Sequence, residues 1–360
     1  MIRLEKRPTP SRLWTWATPV LAVLMTMVAG GLMFAALGKN PFLAIKTIFH
    51  DPILGEFAFY YRGQLLVKAG PLILIAVGLA LGFKAGIWNI GAEGQYIIGA
   101  ICGAAVGLAF YPAEGWYIYP LMVVAGALGG LLWAMIPAVL KLWFNTNEIL
   151  VSLLLVYVAE KFLAAVALGA LRNPDATGFP GSRNLQQYPA AANPELIAGS
   201  GIHMGVVAAL IAVIFAYILF ARHLTGFHIR LAGDSPKAAR FGGVNPNTLV
   251  VFCLALAGAL AGLAGLFEVT GPAGQISINF NSGYGFTAII VAFLGRLHPI
   301  GILLAGLLMA LTYIGGEAAQ AALQIPAAAI QAFQGMLLFF LLGVDVLSNY
   351  RIRMKREAAV

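Results

Sequence analysis

Residues 248–267 read TLVVFCLALAGALAGLAGLF, an apolar run of 20 residues without a charge. A helix of that length can cross a hydrocarbon core roughly 30 Å thick. Similar runs recur along the whole chain of 360 residues. They predict ten transmembrane spans, at 14–37, 64–83, 86–110, 116–140, 147–170, 202–221, 248–270, 283–295, 299–316 and 327–347.

The composition supports a membrane protein. Hydrophobic residues make up 61% of the chain and charged residues 10%, against roughly 45–50% and about 25% in soluble domains. The alternating pattern of barrel strands is absent, and lipid cannot satisfy open sheet edges. The net charge of +8 comes from basic residues between the apolar runs, where they set topology rather than bind nucleic acid. The predicted fold is an all-α, polytopic transmembrane helical bundle, a single domain over residues 1–360.

The positions of Lys and Arg predict the orientation. With the N-terminus inside, fifteen of them fall in inside segments and six, Arg62 and Lys68 among them, in outside segments. The run from Trp14 is too long for a signal peptide, so we expect a retained first span. Both termini are then cytoplasmic. The predicted segments outside the membrane are the N-tail 1–13, the external loop 171–201, the cytoplasmic loop 222–247 and the C-tail 348–360.

Five spans in each half of the chain would give the halves opposite orientations, an inverted five-plus-five repeat of a kind common in transporters. Each half has a Gly-rich, broken third element, at 86–98 and 271–286. Small residues spaced four apart also predict close helix packing. These are Gly99, Gly103 and Gly107, the pair Gly126 and Gly130, and the pair Gly258 and Gly262.

Residues 86–95 (GIWNIGAEGQ) are unusually polar for the head of a span. A charge at the bilayer centre costs at least about 2.5–3.5 kcal/mol on insertion scales. Such groups usually face a cavity or protein, and glycines permit a bend there. Two roles are open, lining the solute pathway or satisfying backbone groups at a helix break. The candidates are Trp88, Asn89, Gly91, Glu93, Gly94 and Gln95.

The cytoplasmic loop contains a second signal. Ser235 can cap a helix, Pro236 suits its first position, and Gly242 or Gly243 can end it. An isolated helix of about two turns has only marginal stability in water. We therefore expect this helix to dock on a partner protein rather than rest only on the helices of its own chain. The candidate coupling residues are Gly233, Asp234, Ser235, Pro236, Lys237, Ala238, Ala239, Arg240 and Gly243.

Other polar residues in the spans are further candidates. Glu160 and Lys161 lie in the fifth span and Glu268 near the outer end of the seventh. Adjacent helix residues do not face each other, so Glu160 and Lys161 should find separate partners. Asn147 can cap the fifth span, and Glu148 suits its positive end. The five His and two Cys have no metal-ligand spacing, and no metal or cofactor site is expected.

The two polar segments resemble a known family. Residues 86–95 are similar to the signature of membrane subunits of the ribose- and branched-chain-amino-acid-type ABC importers. Residues 233–244 (GDSPKAARFGGV) resemble that family's coupling loop, with Ser for the usual Asn and Val for Ile. The resemblance covers about residues 64–347. The Asn-Thr-Asn-Glu stretch at 145–148 and the long N-terminal extension are most similar to the larger permease of nucleoside-type systems, which use a binding protein of the basic-membrane-protein class.

The resemblance implies a transport subunit of the bacterial inner membrane, not an enzyme, with a nucleoside or related polar solute. Its partners would be a second permease, similar or identical, an ATPase with two nucleotide-binding halves, and an external solute-binding protein. The chain has no GxxxxGK[ST] loop, so ATP and Mg²⁺ would bind on the ATPase. In alternating access the binding protein would dock on outer loops including 171–201. Closure of the ATPase would move the helix at 235–241. The small side chains of Ala238 and Ala239 would permit close contact between that helix and a cleft of the ATPase.

Several alternatives remain on the sequence alone. A simple sugar or a flavin could be the solute. An ion-coupled secondary transporter could use Glu93, Glu160 and Lys161 for proton coupling, although the short capped cytoplasmic helix argues against it. An intramembrane enzyme would need convergent catalytic groups, and no such constellation is visible. A channel is the least favoured.

Overall fold

The computed structural model describes residues 2–6, 12–176 and 180–354. Within those ranges the chain forms fourteen helices and two short strands. In chain order they are β1 Ile2–Lys6, α1 Arg12–Ala36, α2 Pro41–Phe49, α3 Asp51–Leu54, α4 Ala58–Lys84, α5 Ala92–Ala109, α6 Ile118–Phe144, α7 Glu148–Leu168, α8 Met204–Arg222, α9 Leu224–Asp234, α10 Pro236–Phe241, α11 Pro246–Thr270, α12 Tyr284–Leu294, α13 Pro299–Leu323, α14 Ala327–Asn349 and β2 Tyr350–Met354. Apart from the strand pair, the predicted helical membrane fold is confirmed.

Nine helices in the described part of the chain are long and apolar enough to cross a membrane. They are α1 (from Ala17), α4, α5, α6, α7, α8, α11, α13 and α14 (to Val344). They correspond to nine of the ten predicted spans. The main shift is in the second, which begins at Ala58, so Arg62 lies on a helix and not in the outer loop. Lys68, also counted with the outside segments, lies on the same helix. The third begins at Ala92, after the polar segment.

The eighth predicted span, 283–295, is wrong as a full-length helix. Its place is taken by α12, whose 11 residues extend about 16 Å, roughly half of the hydrocarbon thickness. The preceding residues 271–283 (GPAGQISINFNSG) are rich in Gly, Asn and Ser, and both Gly274 and Gly283 have positive φ. Residues in that backbone region interrupt a right-handed helix. Both Gly-rich elements are thus broken, while the inverted repeat stays a prediction.

The chain divides into two compact units, residues 62–310 and residues 1–61 with 311–360. In the 62–310 unit, α6 and α11 approach so closely that a Cβ on Gly130 would lie 2.7 Å from the Cα atom of Gly262. Only glycine allows that distance, which lets the two backbones pack directly. The predicted small-residue packing is confirmed for this pair.

The other unit contains α1, α2, α14 and both strands. Phe34 and Phe333 stack with ring centroids 5.8 Å apart. The strands pair antiparallel, with Ile2 opposite Met354, so the described parts of the two tails lie side by side. The side of the membrane on which the two tails lie stays a prediction. The predicted tails also include residues 7–11 and 355–360, which lie outside the described residues.

The two long loops belong to the 62–310 unit, and residues 177–179 of the predicted external loop lie outside the described residues. In the predicted external loop 171–201, the backbone N–H of Ser182 donates to the carbonyl of Ile276 at 2.8 Å, and that of Leu185 to Gly274 at 2.7 Å. The loop is therefore tied to the irregular chain before α12. The predicted cytoplasmic loop 222–247 consists mainly of two helices, α9 and α10. Of the two, only α10 was predicted from the sequence.

Thiol labelling should show which face is external. A Cys replacing exposed Ala198 should react with an impermeant thiol reagent added to intact cells, because the positive-inside rule places that loop outside. A Cys replacing exposed Lys237 should react only after the membrane is opened. Cys102 and Cys253 would first be replaced by Ala. Labelling in the reverse pattern would contradict the cytoplasmic placement of both termini.

Candidate functional site

The polar segment before α5 is a helix break whose polar groups are paired with each other. Asn89, 2% exposed, donates from Nδ2 to Oε1 of Gln95 at 2.9 Å, and Gln95 Nε2 donates back to Asn89 Oδ1 at 3.1 Å. The same Oδ1 accepts the N–H of Gly91 at 3.0 Å. The two amides therefore satisfy backbone and side-chain groups that lipid could not.

Two glycines of the segment permit close packing against α7. A Cβ on Gly91 would lie 2.6 Å from the carbonyl oxygen of Ser152, and one on Gly94 would lie 3.2 Å from that of Leu155. Ser152 Oγ in turn accepts the N–H of Ile90 at 3.2 Å. The start of α5 is thus held on α7 by contacts that a larger side chain would prevent.

Glu93 caps another helix from a distance in sequence. Its side chain is fully buried. One carboxylate oxygen accepts the N–H of Gly283 at 3.0 Å, and the other accepts the N–H of Gly285. These are free backbone donors at the positive end of α12, where a carboxylate is stabilised by both hydrogen bonds and the helix dipole. The contact gives Glu93 a structural role, while a direct role in transport stays a prediction.

A second carboxylate holds the same turn. Glu160 Oε1 accepts a hydrogen bond from Asn281 Nδ2 at 2.7 Å, and Asn281 Oδ1 accepts the N–H of Gly283 at 3.2 Å. Lys161 is exposed and lies on another face of α7. Glu160 thus has a partner other than Lys161, as expected, while a separate partner for Lys161 stays a prediction.

Glu268 belongs to a buried polar cluster at the C-terminal end of α11. Its side chain, 6% exposed, hydrogen-bonds the hydroxyl of Tyr284 and lies in the field of the Lys68 ammonium. Lys68 Nζ also donates to the Tyr284 hydroxyl oxygen at 2.9 Å. A buried carboxylate with a cation and a phenol is a paired arrangement, as burial of charge requires.

Aromatic rings line the same region. Tyr96 stacks on Phe280 with centroids 5.2 Å apart and planes 11° apart, and it meets Tyr284 edge to face at 5.8 Å. A second group lies at the start of the break, where Trp88 stacks on Phe293 at 5.9 Å. Tyr96, Phe280 and Tyr284 are buried, so these rings stabilise one another.

The predicted coupling helix is present as α10. Ser235 is its N-cap, with Oγ accepting the N–H of Ala238 at 3.4 Å, and Gly243 has φ +78° after its end. Ala238 is exposed, but Ala239 is only 3% exposed and packs into the core of its own chain. The expectation that both alanines face a partner is therefore wrong for Ala239, since a helix of six residues must bury one side to be held in place. Phe241 is 95% exposed.

The remaining coupling candidates form the surface around α10. Asp234, Lys237 and Arg240 are exposed. Gly233 packs directly on the backbone carbonyl of Lys84 at the end of α4, and a Cβ there would overlap that oxygen. The segment is thus fixed to the membrane helices at one end and open to solvent along α10.

Two further candidates stabilise the start of α7. Asn147 is its N-cap, with Oδ1 accepting the N–H of Ile149 at 2.9 Å. Glu148 forms an ion pair with Lys141 near the end of α6. Both therefore have local partners that join two neighbouring spans. Within the described ranges, no group of three or more His, Cys, Asp or Glu side chains is placed to hold a metal ion.

Residues 61–342 match a family described as the branched-chain amino acid transport system / permease component. The chain belongs to this permease family. The resemblance inferred from residues 86–95 and 233–244 is confirmed. The protein is therefore a multi-pass transport subunit rather than an enzyme, and permeases of this kind work with an ATPase and a solute-binding protein.

Several named permeases are similar over nearly the whole chain. A glucose ABC transporter permease of Haloferax volcanii is 34% identical over 98% of this permease and 93% of its own length. A guanosine ABC transporter permease of Bacillus subtilis is 28% identical over 93% and 94%. A nucleoside ABC transporter permease of Lactococcus lactis is 27% identical over 82% of both chains. No solved structure is significantly similar to this permease.

Several residues of the permease interior were not predicted from the sequence. Lys68 was counted with the outside segments, although a cation four residues after the start of the predicted span 64–83 is itself a signal of a buried partner. Asn281 and Tyr284 were not singled out, because their importance depends on tertiary contacts, of Asn281 with Glu160, 121 residues earlier, and of Tyr284 with Glu268 across the irregular chain before α12. For Phe241, the one sequence feature that could have indicated a contact surface was an aromatic residue in a polar loop.

Proposed function

We propose that this permease and a second one, similar or identical, form the path by which a nucleoside or related hydroxylated solute is imported across the bacterial inner membrane. Family membership over residues 61–342 carries the proposal. The guanosine and nucleoside permeases among its relatives support the solute class. ATP and Mg²⁺ bind on the partner ATPase, and no covalent chemistry takes place on this chain.

The solute passes by alternating access. An external binding protein delivers it to the loop 171–201, and closure of the ATPase moves α10. Support for this role comes from the shape of that segment, which is anchored through Gly233 and Ala239 and exposes Phe241. A rigidly held helix with an exposed aromatic can transmit a push from a partner to the spans behind it.

A sugar is the second candidate solute. The glucose permease is 34% identical to this chain, against 28% for the guanosine permease. A riboflavin import permease of Treponema pallidum is 26% identical over 77% of this chain. Guanosine, glucose and riboflavin share adjacent hydroxyl groups, and this shared chemistry defines the solute class more firmly than any one of them.

Uptake measurements test the proposal. The permease would be expressed with its partner subunits in cells that lack their own nucleoside and glucose uptake, and supplied with radiolabelled guanosine, glucose or riboflavin. We expect uptake of guanosine that stops when ATP is depleted and survives collapse of the proton gradient. Uptake driven by an ion gradient in vesicles containing this chain alone would contradict the proposal and favour a secondary transporter.

A further inference from the structure

A polar cavity of about 340 Å³ opens beside residues 186–201 of the predicted external loop. It lies where the start of α4, the start of α8 and the end of α11 meet that loop, all within the 62–310 unit. Its polar wall includes Gln64, Gln186, Asn193, Glu195 and His203. The volume lies at the lower end of the roughly 300–1,000 Å³ typical of small-molecule sites. The cavity can therefore hold a small solute or one part of it.

The hydrogen bonds of His203 determine which of its ring nitrogens carries the proton. Asn193 Oδ1 accepts the N–H of Met204 at 3.1 Å, which turns Asn193 Nδ2 toward His203 Nδ1, also 3.1 Å away. Nδ1 accepts the N–H of Gly205 at 3.0 Å as well. Because both neighbours are donors, Nδ1 carries no proton and Nε2 does. Burial lowers the pKa of His203 to about 4, so the ring is neutral at pH 7.

That Nε2 donor has no hydrogen-bond partner among the described residues, although the side chain of His203 is only 3% exposed. A Cβ on Gly271, which also lines the cavity, would lie 3.3 Å from Nε2. The donor atom therefore lies beside Gly271, in the part of the molecule that forms the cavity wall. A buried polar group without a partner costs free energy that a ligand oxygen would recover.

Complementary groups line the rest of the wall. The Glu195 carboxylate accepts the N–H of Gly201, and hydrogen bonds from the backbone of the 199–201 turn lower its pKa, so it is ionised. Gln186 Nε2 donates to the carbonyl of Gly271, and its amide oxygen lies beside Gly274. Apart from the His203 ring, the lining contains no aromatic side chain. This wall can bind hydroxyl groups but cannot stack on a nucleobase.

We propose that this cavity is a subsite for the hydroxylated part of the solute, a ribosyl or hexosyl group, with His203 Nε2 donating to one hydroxyl oxygen and the Glu195 carboxylate accepting from others. The inference rests on the proposed function and extends it by naming the part of the solute that is bound. Because the positive-inside rule places this loop outside, the subsite would receive the solute from the binding protein.

A thiol-protection experiment tests occupancy directly. In the complex of the permease with its ATPase in proteoliposomes, Gln64→Cys would be made after Cys102 and Cys253 are replaced by Ala. Alkylation of the new thiol should slow as guanosine or glucose is added, because solute in the cavity covers it. Ala198→Cys, exposed on the same loop but outside the cavity lining, is the matched control and should react at an unchanged rate.

Two substitutions of His203 separate ligand binding from helix capping. His203→Asn keeps an oxygen that can cap α8 but removes the Nε2 donor, so half-protection should need roughly fivefold more solute, as for one lost hydrogen bond. His203→Gln keeps a donor near the Nε2 position and should retain protection within about twofold. His223, which caps α9 in the same way through Nδ1, provides a control, and His223→Asn should change nothing.

The outcomes distinguish this subsite from the proposed function. Equal alkylation of Gln64→Cys with and without either solute, in a complex that still imports one of them, would overturn the subsite and leave the importer intact. Normal protection in His203→Asn with poor assembly of His203→Gln would show that His203 only caps α8, and would also overturn it. Loss of ATP-dependent uptake of all three solutes in the unmodified permease would instead count against the proposed function.

Discussion

Glu93→Leu should abolish assembly of the permease with its ATPase and, with it, all uptake. The Glu93 carboxylate accepts the N–H groups of Gly283 and Gly285 at the start of α12. Leu would leave the Gly285 N–H buried without this acceptor, and the Gly283 N–H with Asn281 Oδ1 alone. A buried donor without an acceptor costs about 1–3 kcal/mol, and lipid offers no replacement. The measurements are the amount of permease that co-purifies with the ATPase and the initial rate of guanosine uptake.

Glu93→Gln separates charge from shape. One amide oxygen can still accept a hydrogen bond, but the NH₂ group would face a backbone N–H, and the attraction between the carboxylate and the positive end of α12 is lost. We expect a thermal stability and an uptake rate between those of the wild type and Glu93→Leu. Glu160→Gln is the matched control, because its single bond from Asn281 can also be accepted by an amide. Wild-type assembly and uptake in Glu93→Leu would contradict the capping role.

Phe241→Asp should reduce uptake to near background in a permease that still folds. Phe241 is 95% exposed at the end of α10, so its loss removes no contact within the chain. Truncating an aromatic anchor of an interface typically costs at least about 2 kcal/mol, or about 30-fold in affinity. The expected result is normal insertion into the membrane with weakened co-purification of the ATPase. Uptake and ATP hydrolysis would be measured together, because uncoupling lowers the first more than the second.

Two other substitutions show whether the effect is specific to that surface. Phe227→Asp changes a half-exposed aromatic of α9 in the same way and should leave most uptake intact. Ala239→Glu should fail differently, since it places a charge in the core of the chain and should reduce the amount of folded permease itself. Unchanged ATPase binding and uptake in Phe241→Asp would rule out α10 as the coupling helix.

Local patterns were sufficient to predict the spans and their breaks. Nine of the ten apolar runs became full-length helices, because hydropathy over about 20 residues depends only on the run itself. The cap at Ser235 and the turn at Gly243 were visible for the same reason, since a helix end is decided by a few adjacent residues. The length of α12 was overestimated. The apolar residues after Gly283 predicted a full span, although the helix-breaking residues at 271–283 shorten the helix.

What the sequence determined by itself is the membrane class, the positions of nearly all spans, the polar break at 86–95 and the family. What only the tertiary structure decided is which groups those polar residues meet. Glu93 caps a helix that begins nearly 200 residues later, and the proton of His203 lies on Nε2 because Asn193 and Gly205 both donate to Nδ1. Hydrophobic periodicity is a local property of the chain, whereas a buried donor or acceptor is satisfied by whichever partner the packed helices bring near it.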